Sequence, residues 1–266
     1  REHIKYTGSL MVSRKALILS LMMCYYNRIS KNADRVEYKD MISKVVGITI
    51  TEIDEMINEE QRDMITRMEL PPAIAINKAL LENVFTLLVC VINKIPLFIC
   101  GKPGCSKSLS IQLLVSNLRG QDSNDNFFKK LPRILAIPYQ GSESSTSEGI
   151  EKIFEKARNV LKDNQDNSIL PLIVFDEIGL AEISKNNPLK ILHSLLEPEK
   201  AEIAFVGISN WRLDASKMNR AVFLARPDPD LDDLESTALS IFEYYIKEPR
   251  YDEKNIMKAL AKTYYE

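Results

Sequence analysis

At 266 residues the chain is long enough for one large domain, or for one domain and part of another. Apolar residues make up 45% and charged residues 27%, the balance of a soluble globular protein, and a net charge of −2 gives no electrostatic reason to expect nucleic acid or an anionic membrane as an obligate partner. The four cysteines, Cys24, Cys90, Cys100 and Cys105, form no C-x-x-C pair and stand near no histidine cluster, so buried free thiols in a reducing, cytoplasmic compartment are expected rather than disulfides or a metal site.

Residues 14–66 read as helices without strands. The run "ALILSLMMCYY", residues 16–26, is too short to span a bilayer and lacks a small-residue cleavage site, so no transmembrane segment is expected. The chain starts with Arg1, as a piece cut from something longer would. "RKALILSLMMCYYNRI" is apolar on nearly every face and predicts a helix packed all round. "VEYKDMISKVVG" ends on Gly47, a C-cap residue. The next helix starts on the threonine N-cap of "TITEIDEMINEEQRDMITRM" and keeps apolar residues at Ile53, Met56, Ile57, Met64, Ile65 and Met68. The methionines fit core filling better than a partner surface.

"ELPPAIAIN", residues 69–77, breaks the pattern, because its two prolines forbid a continuous helix. A domain boundary is expected here. Beyond it, "KALLENVFTLLVCVINK" is a helix, and the short apolar runs "IPLFIC", "RILAI", "LPLIVF" and "AEIAFVGIS" alternate with helical stretches such as "KSLSIQLLVSNLRG", "SEGIEKIFEKARNVLKD" and "NPLKILHSLLEPE". That alternation predicts an α/β fold, a parallel sheet with helices on both faces. "PDPDLDDLESTALSIFEYYIKEP" then returns to helix.

Residues 101–108, "GKPGCSKS", follow the first of these strands and nearly match the phosphate-binding loop G-x-x-x-x-G-K-[ST]. Glycines let such a loop curl its N–H groups inward onto phosphate oxygens, at the positive end of the next helix. Contacts to ATP are expected along Gly101, Lys102, Pro103, Gly104, Cys105, Ser106, Lys107, Ser108 and Leu109. Lys107 would place a point charge on the outer phosphates, and the Ser108 hydroxyl would ligate Mg²⁺. Ser106 departs from the pattern by standing where the last glycine should be. Its hydroxyl could face a phosphate, or its backbone could carry strain worth about 1–3 kcal/mol.

"LPLIVFDEIG" is an apolar strand ending in paired carboxylates. Asp176 is placed to hold Mg²⁺ through its water shell, and Glu177 to polarise a water for attack on the γ-phosphate. A third strand, "IAFVGISNWRLD", ends in Ser209-Asn210; Asn210 fits a residue that orients the lytic water, though it also fits an ordinary strand-to-turn asparagine. Arg220 and Arg226 in "DASKMNRAVFLARPDPD" are candidates for an arginine reaching a neighbouring γ-phosphate, with Arg220 favoured. Either could instead pair with local acids such as Asp228 or Asp230. His193 fits packing or capping on a helix, and Trp211 an anchor under the Asn210 loop.

Together, "LPPAIAINKALLENVF", "IPLFICGKPGCSKSLS", "IVFDEIGLAE", "PLKILHSLLE" and "FVGISNWRLDASKMNRAVFLARPDPD" resemble the AAA+ core of the mysterin family, giant RING-type E3 ubiquitin ligases with dynein-like tandem AAA+ units, and it is this resemblance that implies the water-orienting role of Asn210 and the reaching role of Arg220 or Arg226. The resemblance runs from about Leu70 to about Asp230. It implies a P-loop NTPase of AAA+ three-layer αβα form, with magnesium at Ser108 and Asp176, hydrolysis through Glu177, Asn210 as sensor and Arg220 as candidate finger. In that family the loop also reads G-K-P-G-x-S-K-S, which makes Ser106 a family trait. It further implies residues 1–68 as the helical lid of a preceding unit, 69–232 as the large nucleotide-binding domain and 233–266 as the start of its own lid. The implied partners are neighbouring AAA+ units, and ubiquitin machinery acting through a parent protein. The RING array itself is absent from these residues. Two further readings stay open: an ATP-binding scaffold with little hydrolysis, and a small-molecule kinase, which would want an acceptor pocket and an arginine-rich mobile lid.

Overall fold

A computed structural model of the chain describes residues 10–164, 168–197, 202–218, 220–246 and 251–265. Five strands form one parallel sheet: β1 (Leu97–Cys100), β2 (Arg133–Gln140), β3 (Ile169–Asp176), β4 (Ala204–Ser209) and β5 (Val222–Ala225), in the order β2-β3-β4-β1-β5. The sheet is apolar on both faces because helices cover both, which is why β1 and β4 read as unbroken hydrophobic runs. On one face lie α4 (Lys78–Ile92) and α5 (Lys107–Asn117), packed on Leu97, Ile99, Leu172, Val206 and Leu224. On the other, α6 (Ser147–Asp163) starts on the Thr146 side-chain cap and buries Ile150, Phe154 and Ala157, with Phe154 stacked on Phe205 at 6.0 Å. The α/β expectation therefore holds.

Short elements fill the loops: α7 (Ile178–Glu182), α8 (Leu192–Leu195) and α9 (Ala215–Met218). The helical stretch expected over "NPLKILHSLLEPE" is a 3₁₀ turn at Pro188–Ile191 followed by α8, and its end at 198–199 lies outside the described residues. Strand β5 is an element the sequence reading left unassigned.

The N-terminal helices are α1 (Leu10–Cys24), α2 (Asn32–Val46) and α3 (Ile50–Thr66). Residues 1–9 of the expected 1–68 segment lie outside the described residues. Gly47 closes α2 in the left-handed region at φ +71 and Thr49 caps α3, both as the sequence predicts; Glu52 adds the reciprocal bond that makes the cap a capping box. Helix α1 is not packed all round. Ile18, Met22 and Tyr26 are buried, while Leu17 and Tyr25 are more than half exposed, because the segment's small core, with Ile48 and Ile53, covers a single stripe. Cys24 is likewise exposed, against the expectation of a buried thiol; Cys90, Cys100 and Cys105 are buried.

The two-proline stretch does interrupt the helices, and Ala73 within it takes φ +62. It is nonetheless tied down: Glu69 N–H donates to Asn117 Oδ1 at 2.7 Å, and Asn117 Nδ2 returns a bond to Glu69 C=O. Ile65 and Met68 belong to the same buried cluster as α4. Helix α4 is almost wholly buried and carries three buried polar residues. Thr86 accepts from Asn27, Asn83 donates to the Cys105 carbonyl, and Glu82 lies between Arg35 and Arg226. Two helices, α10 (Leu231–Tyr245) and α11 (Tyr251–Tyr265), follow the sheet; Asp233 at the start of α10 accepts from Lys78 N–H, and Thr237 accepts from Asn77.

Removing the Glu82 carboxylate would leave two buried guanidinium groups without compensation, a change that costs about 3–5 kcal/mol. Glu82→Gln is therefore expected to lower stability by that order in a denaturant titration. Burial alone would raise the Glu82 carboxyl, but the Arg226 and Arg35 charges outweigh it and hold the group below the ordinary carboxylate value. A depressed value stabilises the fold above the unfolded-state range and stops doing so as pH falls through the folded one. Wild-type stability should thus fall on acidification below about pH 4, and more steeply than that of Glu82→Gln.

Candidate functional site

The loop from β1 to α5 is held on two sides where it leaves β1. Arg226 N–H donates to Cys100 C=O at 2.7 Å, and Gly101 N–H donates to Ser209 C=O at 3.2 Å. A Cβ at Gly101 would come within 2.5 Å of the Arg226 Cβ, so this position admits only glycine without movement. Gly104 at φ +89 and Ser106 at φ +55, ψ 22 take left-handed backbone two residues apart. Such turns point successive amides into a concavity that suits an anion, and α5 adds its positive end. The odd serine is therefore in the conformation that glycine ordinarily supplies.

Lys107 is buried, and its ammonium donates to the Gly101 carbonyl and, at 2.9 Å, to the Lys102 carbonyl. Burial pushes this ammonium below the ordinary lysine value; the charges of Glu177 and Asp176, close enough to be felt, act the other way. Lys102 is exposed and paired with Asp228 at 2.7 Å, and Pro103 is exposed. Cys105 is buried, with its carbonyl held by Asn83 Nδ2 at 2.8 Å, and Leu109 packs against the core under the loop. Ser108 is exposed, and its hydroxyl has no hydrogen-bond partner among the described residues.

Strand β4 lies between β1 and β3, so the residues following these three strands meet at one edge of the sheet. Asp176 ends β3, and its Oδ1 accepts from the Glu177 amide at 2.9 Å. Glu177 is itself left-handed, at φ 49 and ψ 40, which turns its side chain away from the strand direction. Asn210, just after β4, donates its Nδ2 to both Glu177 carboxylate oxygens at 2.9 and 3.2 Å. Gly141 completes the corner. Its amide donates to Asp176 C=O at 2.8 Å, and a Cβ there would lie 2.3 Å from Glu177 C=O. Sequence reasoning missed Gly141; its signal was a glycine directly after an apolar strand, at the point where a neighbouring strand ends. Trp211 covers Gly179 of α7 with its ring, as an anchor beside Asn210, and remains 41% exposed.

Cavities flank the loop. One, of about 250 Å³, is lined by Gly104, Ser106, Leu109, Asn77, Arg35 and Arg226, and another, of about 300 Å³, by Cys100, Gly101, Asn210 and Arg226. The two candidate arginines differ. Arg220 is 40% exposed and donates to the His193 carbonyl and to Glu197 within this chain. Arg226 is buried against Glu82, the partner that the local-acid reading had sought in Asp228 or Asp230. His193 sits on α8, half-buried. No group of three or more His, Cys, Asp or Glu that could hold a metal occurs among the described residues. No helix among them is long and apolar enough to cross a membrane.

Residues 73–233 match the family model of the RNF213 AAA domain. The E3 ubiquitin-protein ligase rnf213-beta of Danio rerio is 38% identical over 240 residues, an alignment that takes in 85% of this chain and 5% of that protein. The human E3 ubiquitin-protein ligase RNF213 is 34% identical over 238 residues, with 85% and 4% covered. The chain thus spans about a twentieth of the length of the curated relatives it matches. Among solved structures, the ORC2 protein of Aeropyrum pernix, determined as ADPNP and ADP complexes, superposes with a TM-score of 0.51 at 11% identity, over 73% of this chain and 58% of that one. That likeness is one of fold, the parallel three-layer αβα arrangement of AAA+ P-loop ATPases. With the family model covering more than half of its residues, the chain belongs to the RNF213 AAA domain family.

Proposed function

We propose that this chain binds ATP with Mg²⁺ and hydrolyses it, as one AAA+ unit whose nucleotide state drives conformational change in a larger, cytoplasmic E3 ubiquitin ligase. The observation that carries the reading is the meeting of Lys107, Asp176, Glu177 and Asn210 at adjoining strand tips beside a loop with left-handed backbone at Gly104 and Ser106. Gly101 to Leu109 would wrap the phosphates. Lys107 would give up the loop carbonyls for phosphate oxygens, a more strongly charged partner. The donor set fits Mg²⁺: the Ser108 hydroxyl has no other partner among the described residues and Asp176 offers a second carboxylate oxygen, and one or two such ligands beside phosphates and waters are what this ion takes. When bound, the ion supplies positive charge to the phosphates. Glu177 accepts a proton from the attacking water, and Asn210, bonded to both its oxygens, sets where that carboxylate points. Arg220 is the arginine left to act on a neighbour, since Arg226 is buried.

The same reading divides the chain into residues 1–68 as the lid of a preceding unit, 69–232 as the nucleotide-binding domain and 233–266 as the start of its own lid. Neighbouring AAA+ units, and ubiquitin machinery reached through the parent, are the proposed partners. One observation favours the alternative of a nucleotide-binding scaffold: Glu177 is held by Asn210 and Arg220 by Glu197, an arrangement at rest.

Turnover separates the two. In the chain joined to its neighbouring units, Lys107→Ala is expected to abolish ATP binding in calorimetry. Glu177→Gln is expected to keep binding and lose about 10²–10⁴-fold in hydrolysis rate; turnover equal to wild type would leave the scaffold reading. At the loop, Ser106→Gly should bind ATP as wild type does. Ser106→Val forces a β-branched residue to positive φ at a cost of about 1–3 kcal/mol, and so should weaken binding by about 5–150-fold.

A further inference from the structure

Arg35 belongs to α2, outside the 73–233 stretch matched by the family model, yet it lines the cavity beside the phosphate-binding loop. It is 2% exposed and fully engaged: Nε donates to Ile29 C=O at 2.8 Å, one terminal nitrogen to Glu82 at 3.0 Å, and the other to Ala225 C=O at 2.8 Å. Arg226, the next residue after Ala225, sits on the other side of the same carboxylate and lines both cavities that flank the loop. It is only partly satisfied, because its Nε is buried with no partner among the described residues. Its amide and its Cβ touch Cys100 and Gly101, where the loop begins. The cavity's other charged groups lie on the α4 and α10 side: Lys78, Asp233, Asp230 and Asp228, the last paired with Lys102.

Glu82 is thus one acceptor shared by two arginines, Arg35 with each of its three nitrogens bonded and Arg226 with its Nε unpartnered among the described residues. A phosphate in the loop would compete with Glu82 for Arg226. Any weakening of the Arg226–Glu82 bond would leave the carboxylate to Arg35, tightening the hold of α2 on α4. We propose that Arg226 senses nucleotide and that Glu82 and Arg35 pass its presence to the N-terminal helices, so that nucleotide binding and docking of α2 are thermodynamically linked. Arg35 is here a positioning residue, and the proposal rests on the nucleotide-binding reading above. Linkage is reciprocal: whatever nucleotide does for α2, an intact Arg35 does for nucleotide affinity.

The test uses the 266-residue chain with ADP as probe, reading affinity by calorimetry and α2 by amide hydrogen exchange over residues 32–46. In wild type, saturating ADP should slow exchange in α2 by about fivefold or more. Arg35→Gln should bind ADP about 5–150-fold more weakly, the usual span of a coupling between sites, and its α2 exchange should not respond to ADP. Ile53→Val, which loosens the same helices without touching the charge cluster, should lose stability but keep both affinity and response. The proposal is overturned if wild-type ADP binding leaves α2 exchange unchanged, a result that does not depend on any variant folding. It is also overturned if Ile53→Val loses affinity as Arg35→Gln does, since general loosening would then account for both. ADP binding by wild type that Lys107→Ala abolishes, with no response in α2, sinks only this linkage; absence of ADP binding by wild type sinks the nucleotide reading and the linkage together.

Discussion

A carboxylate in the middle of an apolar helix is the constraint on which the rest is arranged. Glu82 is 5% exposed, and a charge so placed persists only where fixed charges and hydrogen bonds replace the solvent. Arg35 and Arg226 provide them, from α2 and from the end of β5. Meeting that need fixes three things at once. The N-terminal helices must dock on α4. Strand β5 must end where Arg226 can turn inward. Gly101 must be glycine, because the Arg226 side chain fills the space a Cβ would take. The loop after β1 is therefore shaped partly by a residue at the far edge of the sheet and partly by a helix outside the stretch that matches the family model.

The other half of the site follows from strand order. With β4 inserted between β1 and β3, the Ser209 carbonyl reaches the Gly101 amide on one side, and Asn210 reaches Glu177 on the other. A parallel sheet makes this possible because strands that run the same way deliver all their C-terminal loops to one edge. Left-handed backbone at Glu177 then costs about 1–2 kcal/mol, offset by the Asn210 bonds and by Gly141, whose lack of a side chain leaves room for the Glu177 carbonyl. Strain of this kind concentrates where a side chain must be aimed against its local preference.

The parts of this arrangement that could be read from the sequence are those whose chemistry is local. A loop that curls around phosphate needs glycines and a lysine in a fixed order. A strand that ends on a metal needs an acid at its tip, and Lys107, Asp176 and Glu177 could be picked out for that reason, whereas Asn210 stood out only through the family resemblance. Gly47 and Thr49 were legible on the same grounds, as caps are decided within a few residues. What escaped was long-range. Strand β5 has only four residues and stands among charges, so no periodicity marks it. Glu82 was visible as an acid inside "KALLENVFTLLVCVINK", but its partners are 47 and 144 positions away, and nothing local names them. Helix α1 misled because its apolar residues outnumber the surface available to cover them.

The two arginines after β4 show how burial settles a choice that residue type leaves open. A guanidinium that stabilises charge on a neighbour's phosphate must be able to leave its own chain. Arg226 would have to abandon Glu82 inside the core, and breaking a buried pair costs about 3–5 kcal/mol. Arg220 holds Glu197 at 3.3 Å with both side chains about 40% exposed. An exposed pair of that kind contributes about 0–1 kcal/mol, an amount a phosphate's charge readily exceeds. Under the proposed function that difference in free energy would divide their tasks, Arg226 responding to nucleotide in its own loop and Arg220 being drawn outward to another unit. What the geometry itself separates is a guanidinium kept inside and one left on the surface, on either side of the same short strand.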